Sequence, residues 1–118
     1  MRLRRRSFLS LAAGAVALPV AARVAYADTY PSRRITMVVP FAPAALSDII
    51  ARIMAEGMSA ALGQSIVIDN ASGADGTIGS GRVAHAVPDG YTLVCANWNT
   101  SVTNAAIYKL DYDVVTDF

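Results

Sequence analysis

Short apolar strands alternating with helical stretches constrain this chain more than any other feature. Ile35-Thr36-Met37-Val38-Val39 is a β-branched apolar run stopped by Pro40. Such a run, bounded by a turn signal, reads as a buried strand. A loop with two prolines follows, from Pro40 to Leu46, and then a helix is predicted with Ser47 as N-cap and Asp48 in its positive first turn. Ile49, Ile50, Ile53, Met54, Met58, Ala61 and Leu62 recur at helical spacing, so the sequence predicts that this stripe packs inward, and Gly63 is the natural stop. Ile66-Val67-Ile68 is a second strand and Asn70 to Gly76 a glycine-bearing loop. Thr77 is expected to cap a short helix through about Ala86, with Ile78, Val83 and Ala86 inward. Val87-Pro88-Asp89-Gly90 is a turn, Thr92 to Ala96 a third strand, Asn97 to Asn104 a polar loop, and Ala105 to Leu110 a short helix. Strands alternating with helices pair in parallel through right-handed crossovers. The expected fold is α/β, an open parallel sheet with flanking helices.

The chain has 118 residues and a formal charge of +1, but the charge is unevenly spread. Five of the ten basic residues (Arg2, Arg4, Arg5, Arg6 and Arg23) precede residue 28, and no acidic residue does. The remaining 91 residues carry five basic and nine acidic side chains, a net charge of −4. That balance argues against nucleic acid as a partner, because such binding needs clustered Lys and Arg. At 54% apolar and 16% charged, the composition also excludes intrinsic disorder.

Residues 1–27 read as a secretory signal peptide. Met1 to Arg6 is basic, Phe8 to Ala22 almost wholly apolar, and Ala25-Tyr26-Ala27 fits a small-x-small cleavage site ahead of Asp28. The apolar run is shorter than the roughly 20 residues a membrane-spanning helix needs, which disfavours the alternative of a retained anchor. Arg5-Arg6-Ser7-Phe8-Leu9 resembles the twin-arginine export motif. Export implies a compartment where thiols oxidise, so the single Cys95 reads as a small buried hydrophobe.

In open α/β sheets, ligands bind beyond the carboxyl ends of the strands. Those ends carry loops 40–47, 70–77 and 97–104, and the first two lead into helix N-termini, which favour anions. No Lys or Arg occurs in these loops, so a carboxylate or phosphate would be held mostly by backbone amides, assisted by Ser47, Thr77, Asn99, Thr100 and Ser101. On spacing alone, the same residues serve equally well as caps and turn formers. Catalysis finds little support. His85 lies late in a helix, Ser47 lacks a G-x-S-x-G context, and nothing places Asp48 and Asp75 at a working distance. Gly73, Gly76 and Gly79 give G-x-x-G-x-x-G, a poor dinucleotide fingerprint. No metal-ligand cluster stands out, and no cofactor is expected.

Several motifs, in order, carry a family resemblance. They are Tyr30-Pro31-Ser32-Arg33, Val38-Val39-Pro40-Phe41-Ala42-Pro43, Ser47-Asp48-Ile49-Ile50-Ala51-Arg52, Leu62-Gly63-Gln64 and Val67-Ile68-Asp69-Asn70. Gly73-Ala74, Gly76-Thr77-Ile78-Gly79, Pro88-Asp89-Gly90-Tyr91-Thr92-Leu93, Tyr112-Asp113 and Asp117-Phe118 complete the set. With them the chain resembles the Bug-type periplasmic solute receptors of tripartite tricarboxylate transporters. The resemblance implies a two-lobed Venus-flytrap protein that binds a small carboxylated solute (a di- or tricarboxylate, an amino acid or an aromatic acid) and delivers it to membrane transporter subunits. It implies that backbone amides and ordered waters of the first two loops hold a ligand carboxylate. Carried over by motif, the substrate-binding residues are Phe41, Ala42, Ser47, Asp48, Gly73, Ala74, Gly76 and Thr77, with Thr100 and Ser101 added from the third loop.

Two departures bear on the site. The family usually has Gly-Gly where this chain has Ala44-Ala45, and Gly-Ala-Gly-Gly where it reads Gly73-Ala74-Asp75-Gly76. A positive φ at Ala44 or Ala45 would store strain of order 1 kcal/mol or more. Asp75 adds negative charge near a carboxylate site, so a weakened or altered ligand preference is expected. The expected organisation is a signal peptide over residues 1–27 and part of a first lobe over residues 28–118, a truncated receptor. The alternatives are an exported α/β enzyme domain binding a phosphate-bearing ligand, and a non-functional truncated product.

Overall fold

The computed structural model describes residues 29–118, and the expected export segment lies outside them. Three strands form one parallel sheet: β1 (Ile35–Val39), β2 (Ile66–Asn70) and β3 (Thr92–Val94), in the order β2-β1-β3. Ile35 stands opposite Ile66, Val39 opposite Asn70, and Met37 opposite both Ile68 and Leu93. Helix α1 (Leu46–Leu62) joins β1 to β2, and α2 (Thr77–Ala84) joins β2 to β3. A single 3-10 turn, Ala74–Gly76, precedes α2. With β1 in the middle and both crossovers right-handed, α1 and α2 must lie on opposite faces of the sheet. Side chains alternate faces along β1. Met37 and Val39 therefore meet Ala51 of α1, with Phe41, Met58, Ile66, Ile68, Leu93 and Cys95 packed around them.

Helix α1 starts and turns differently from the sequence expectation. Its N-cap is Ala45 rather than Ser47, and no side chain caps it; Ser47 lies in the first turn. Gly63 does end it, in a left-handed conformation (φ 65°). The buried positions are Asp48, Ala51 and Ala55. The stripe Ile49, Ile50, Ile53 and Met54 faces outward instead, with Ile53 65% exposed. The reason is Asp48, which turns inward to Asn70 at the end of β2 and to the Ala44 amide. The resulting rotation brings alanines, spaced three and four residues on, against the sheet.

Helix α2 also packs through small residues: Gly79, Ser80 and Gly81 are buried, while Ile78 is exposed and Val83 and Ala86 are half-buried. A Cβ on Gly79 would lie 2.7 Å from the Ala71 carbonyl oxygen and 3.0 Å from Pro40 Cα. Closeness to backbone, not apolar size, therefore selects the inner face. Thr77 is the first helical residue rather than the cap, a place taken by Gly76. The expected polar loop 97–104 is largely helical, with a π-helical turn at Asn99–Thr103 running into α3 (Asn104–Ile107).

Packing this close makes a paired prediction. Gly79→Ala should destabilise the fold by about 1–3 kcal/mol in urea denaturation, because its new methyl meets backbone that cannot swing away. Gly57→Ala, in α1 with nothing within 4 Å, should instead stabilise it by up to about 1 kcal/mol.

Candidate functional site

The carboxyl ends of all three strands lie at one edge of the sheet, and there the loops close on one another. Gly76 marks the meeting point. A Cβ added to it would sit 2.5 Å from the Thr100 methyl and 3.1 Å from Pro40 Cβ. Loops 40–47, 70–77 and 97–104 thus touch at a buried glycine held at φ 88°.

Asp48 secures this arrangement. Its side chain is only 3% exposed. Oδ2 accepts the Ala44 amide at 2.8 Å and Arg52 Nε at 3.0 Å, while Oδ1 accepts Asn70 Nδ2 at 2.9 Å. Asn70 Nδ2 also reaches the Phe41 carbonyl at 3.1 Å. One carboxylate thereby ties the first loop, α1 and the end of β2 together. Hydrogen bonds from Arg52, Asn70 and the Ala44 amide lower its pKa from the ordinary 3.8 to about 2.

The expected site residues fall into two groups. Phe41 is half-buried against the core, Ala42 is exposed with its carbonyl accepting the Ala45 amide, and Ser47 and Thr77 are half-buried. Gly73 (φ 134°), Ala74 (φ 43°) and Gly76 shape the second loop, where Thr77 Oγ1 donates to the Ala74 carbonyl. Asp48 and Thr100, by contrast, spend their polar atoms internally. Thr100 is 1% exposed, and its Oγ1 accepts the Asn97 amide at 3.0 Å. In return Asn97 Oδ1 accepts the Thr100 amide at 3.1 Å, a reciprocal pair in the manner of a capping box. Ser101 is exposed.

This pairing separates the third loop from the first two. Ala45 and Gly76 offer no side-chain acceptor to the first turns of α1 and α2. Those turns therefore keep amide donors for water or for an anion. Among the described residues, no group of three or more His, Cys, Asp or Glu could hold a metal ion.

Both departures from the family pattern fall on unusual backbone. Ala44 has φ 64° and Asp75 φ 55°, whereas Ala45 is extended at φ −68°. Asp75 Oδ2 accepts Asn99 Nδ2 at 2.6 Å and its carbonyl accepts Asn104 Nδ2 at 2.8 Å, which latches the second loop to the third. Sequence reasoning passed over Asn70, Arg52, Asn97 and Asn104. Arg52 and Asn97 were readable, as an i+4 partner of Asp48 and as the head of an N-x-x-T pattern. Asn70 and Asn104 act across long sequence separations and leave no local signal.

A family described as "Tripartite tricarboxylate transporter family receptor" matches residues 50–118. This chain belongs to that family. It is 46% identical over 95 residues to a UPF0065 protein of Bordetella pertussis, covering 80% of this chain and 29% of that one. It is 41% identical over 109 residues to BugT of the same organism, covering 91% and 32%. The chain therefore spans about a third of the length of these relatives. Among solved structures, MatC from Rhodopseudomonas palustris with bound malate aligns with TM-score 0.73 and 43% identity, covering 75% of this chain and 31% of MatC. An R. palustris protein solved with adipate aligns with TM-score 0.54 and 45% identity, covering 55% of this chain and 22% of its own. The fold is accordingly that of periplasmic binding proteins, and the receptor resemblance read from the motifs holds.

Two outcomes follow from the site's geometry. Ala44→Gly should raise stability by about 1 kcal/mol, read as a higher urea midpoint, because glycine adopts φ 64° without strain. Asp48, held below its ordinary pKa, contributes stability that is complete above about pH 4 and is lost as pH falls through about 2. Urea midpoints measured from pH 5 to pH 2 should therefore fall steeply for the native chain and more gently for Asp48→Asn, which should also be less stable at neutral pH.

Proposed function

We propose that this chain forms part of the first lobe of a periplasmic receptor, which captures a small carboxylated solute and passes it to membrane subunits of a tripartite tricarboxylate transporter. On this reading residues 1–27 are the export signal and residues 28–118 belong to the receptor body. The observation that carries the reading is that the loops leading into α1 and α2, two helices whose N-termini no side chain caps, meet the third loop at Gly76 on the carboxyl edge of a parallel sheet. No Lys or Arg lies in the three loops. An anion there is held by main-chain amides, with Ala42, Ser47, Gly73, Ala74, Gly76 and Thr77 shaping the approach and Phe41, Asp48 and Thr100 fixing the loops behind it. Malate and adipate in the related structures support a carboxylate as the solute class. No step in this function requires the chain to be a catalyst.

Asp75 tempers the site. Its carboxylate lies in the second loop with the neutral Asn99 as partner, and it repels a ligand carboxylate nearby. A thermal-shift series on the full chain tests the proposal. Succinate and malate at about 100 times Kd should add about 2.7 kcal/mol of stability, several degrees in Tm. ATP and NAD should add none. Asp75→Gly should tighten succinate binding. Stabilisation by nucleotides without carboxylates would favour a phosphate-binding enzyme domain and sink the receptor reading.

A further inference from the structure

A second cavity lies under the third loop, apart from the amides of α1 and α2. Its volume is about 160 Å³. Val94, the last residue of β3, and Ala96 just beyond it form one wall; Thr100 and the exposed Ser101 form another; Val114 and the exposed Phe118, from the segment that follows α3, flank the side open to solvent. Ser80, on the inner face of α2, completes the lining. Phe118 is steadied by an edge-to-face contact with the buried Tyr112, the ring centroids being 5.8 Å apart.

Three properties define what fits. The first is size: an engineered apolar cavity of about 150 Å³ accepts benzene. The second is charge. No lining side chain is ionisable, so a charge held here would meet no side-chain partner, which favours a neutral occupant. The third is one unmet hydrogen bond. Ser80 is 3% exposed and its Oγ has no partner. A helical serine usually bonds back to the preceding turn, and this one does not. Thr100 does not pair with it either, its hydroxyl donating to the Asn97 carbonyl and accepting the Asn97 amide. Leaving a buried hydroxyl unpaired is costly, so the site favours an occupant that pairs it.

We propose that this cavity binds a small, neutral, mostly apolar ring bearing one hydroxyl, with Ser80 as its hydrogen-bond anchor. Phenol is the simplest such molecule. The inference stands on the cavity alone and does not depend on the carboxylate reading.

Titrations of the full chain with phenol and with benzene, followed by calorimetry and by methyl NMR, test it. Phenol should bind saturably and shift the methyl signals of Val94, Ala96 and Val114. Ser80→Ala should weaken phenol about tenfold and leave benzene unchanged, since only phenol loses a hydrogen bond. Val94→Phe should fill the space and abolish both; if that variant unfolds, Ser80→Ala still decides. A cavity that holds water only would give no saturable methyl shifts, which overturns the proposal. Equal loss of phenol and benzene in Ser80→Ala would overturn it as well.

Discussion

The rest of this structure depends on one buried carboxylate. Asp48 accepts hydrogen bonds from the loop before α1, from within α1 and from the last residue of β2. Burying a charge is costly unless partners replace its lost water, and here three do. Two of them, the Ala44 amide and Asn70, lie outside α1 and so set its rotation about its axis. That rotation in turn decides which residues meet the sheet: alanines inside, and isoleucines and Met54 outside. A polar contact thus overrides the apolar stripe that would otherwise orient the helix.

The functional edge is built by close approach rather than by reactive side chains. Gly76 and Gly79 let α2 come up against Pro40 and Thr100, where a single methyl would collide. The site that results is made of main chain, and its shape rests on backbone angles. This gives weight to Ala44 and Asp75, which with Ala74 are the side-chain-bearing residues at positive φ in those very loops. Each sits where L-residues are strained, and Asp75 is additionally held by hydrogen bonds that it accepts from Asn99 and Asn104. The cavity beneath the third loop differs in kind, its apolar side chains interrupted by the hydroxyls of Ser80, Thr100 and Ser101.

Much of the fold was legible in the sequence. The β-branched run closed by Pro40 gave β1 its full extent, and Gly63 ended α1 where glycine was needed. Family motifs led to the receptor assignment that the matched residues support. What was not legible was set by contacts distant in sequence. Ser47 looks like a cap, but Asp48 is drawn inward by Asn70, 22 residues away. Asn97 to Asn104 looks like a polar loop, yet Asn97 and Thr100 pair with each other while Asn99 and Asn104 reach back to Asp75, and the segment winds into a helix. Ile78 looks like a core residue, but the space beneath α2 admits only glycine and serine. In each case apolar patterning gave way to a polar partner or to a steric limit.

The central position of β1 has a further consequence. It is the earliest of the three strands in the chain, and both others pair with it while neither pairs with the other. A one-residue slip in an edge strand would disturb one pairing. The same slip in β1 would exchange the buried Met37 and Val39 with Val38 across the sheet and misalign both neighbours together. It would also carry Pro40 away from Gly76 and Gly79, since that proline follows β1 directly. Five consecutive residues near the start of the sheet thus act as a common ruler, against which both faces and the opening between the loops are measured.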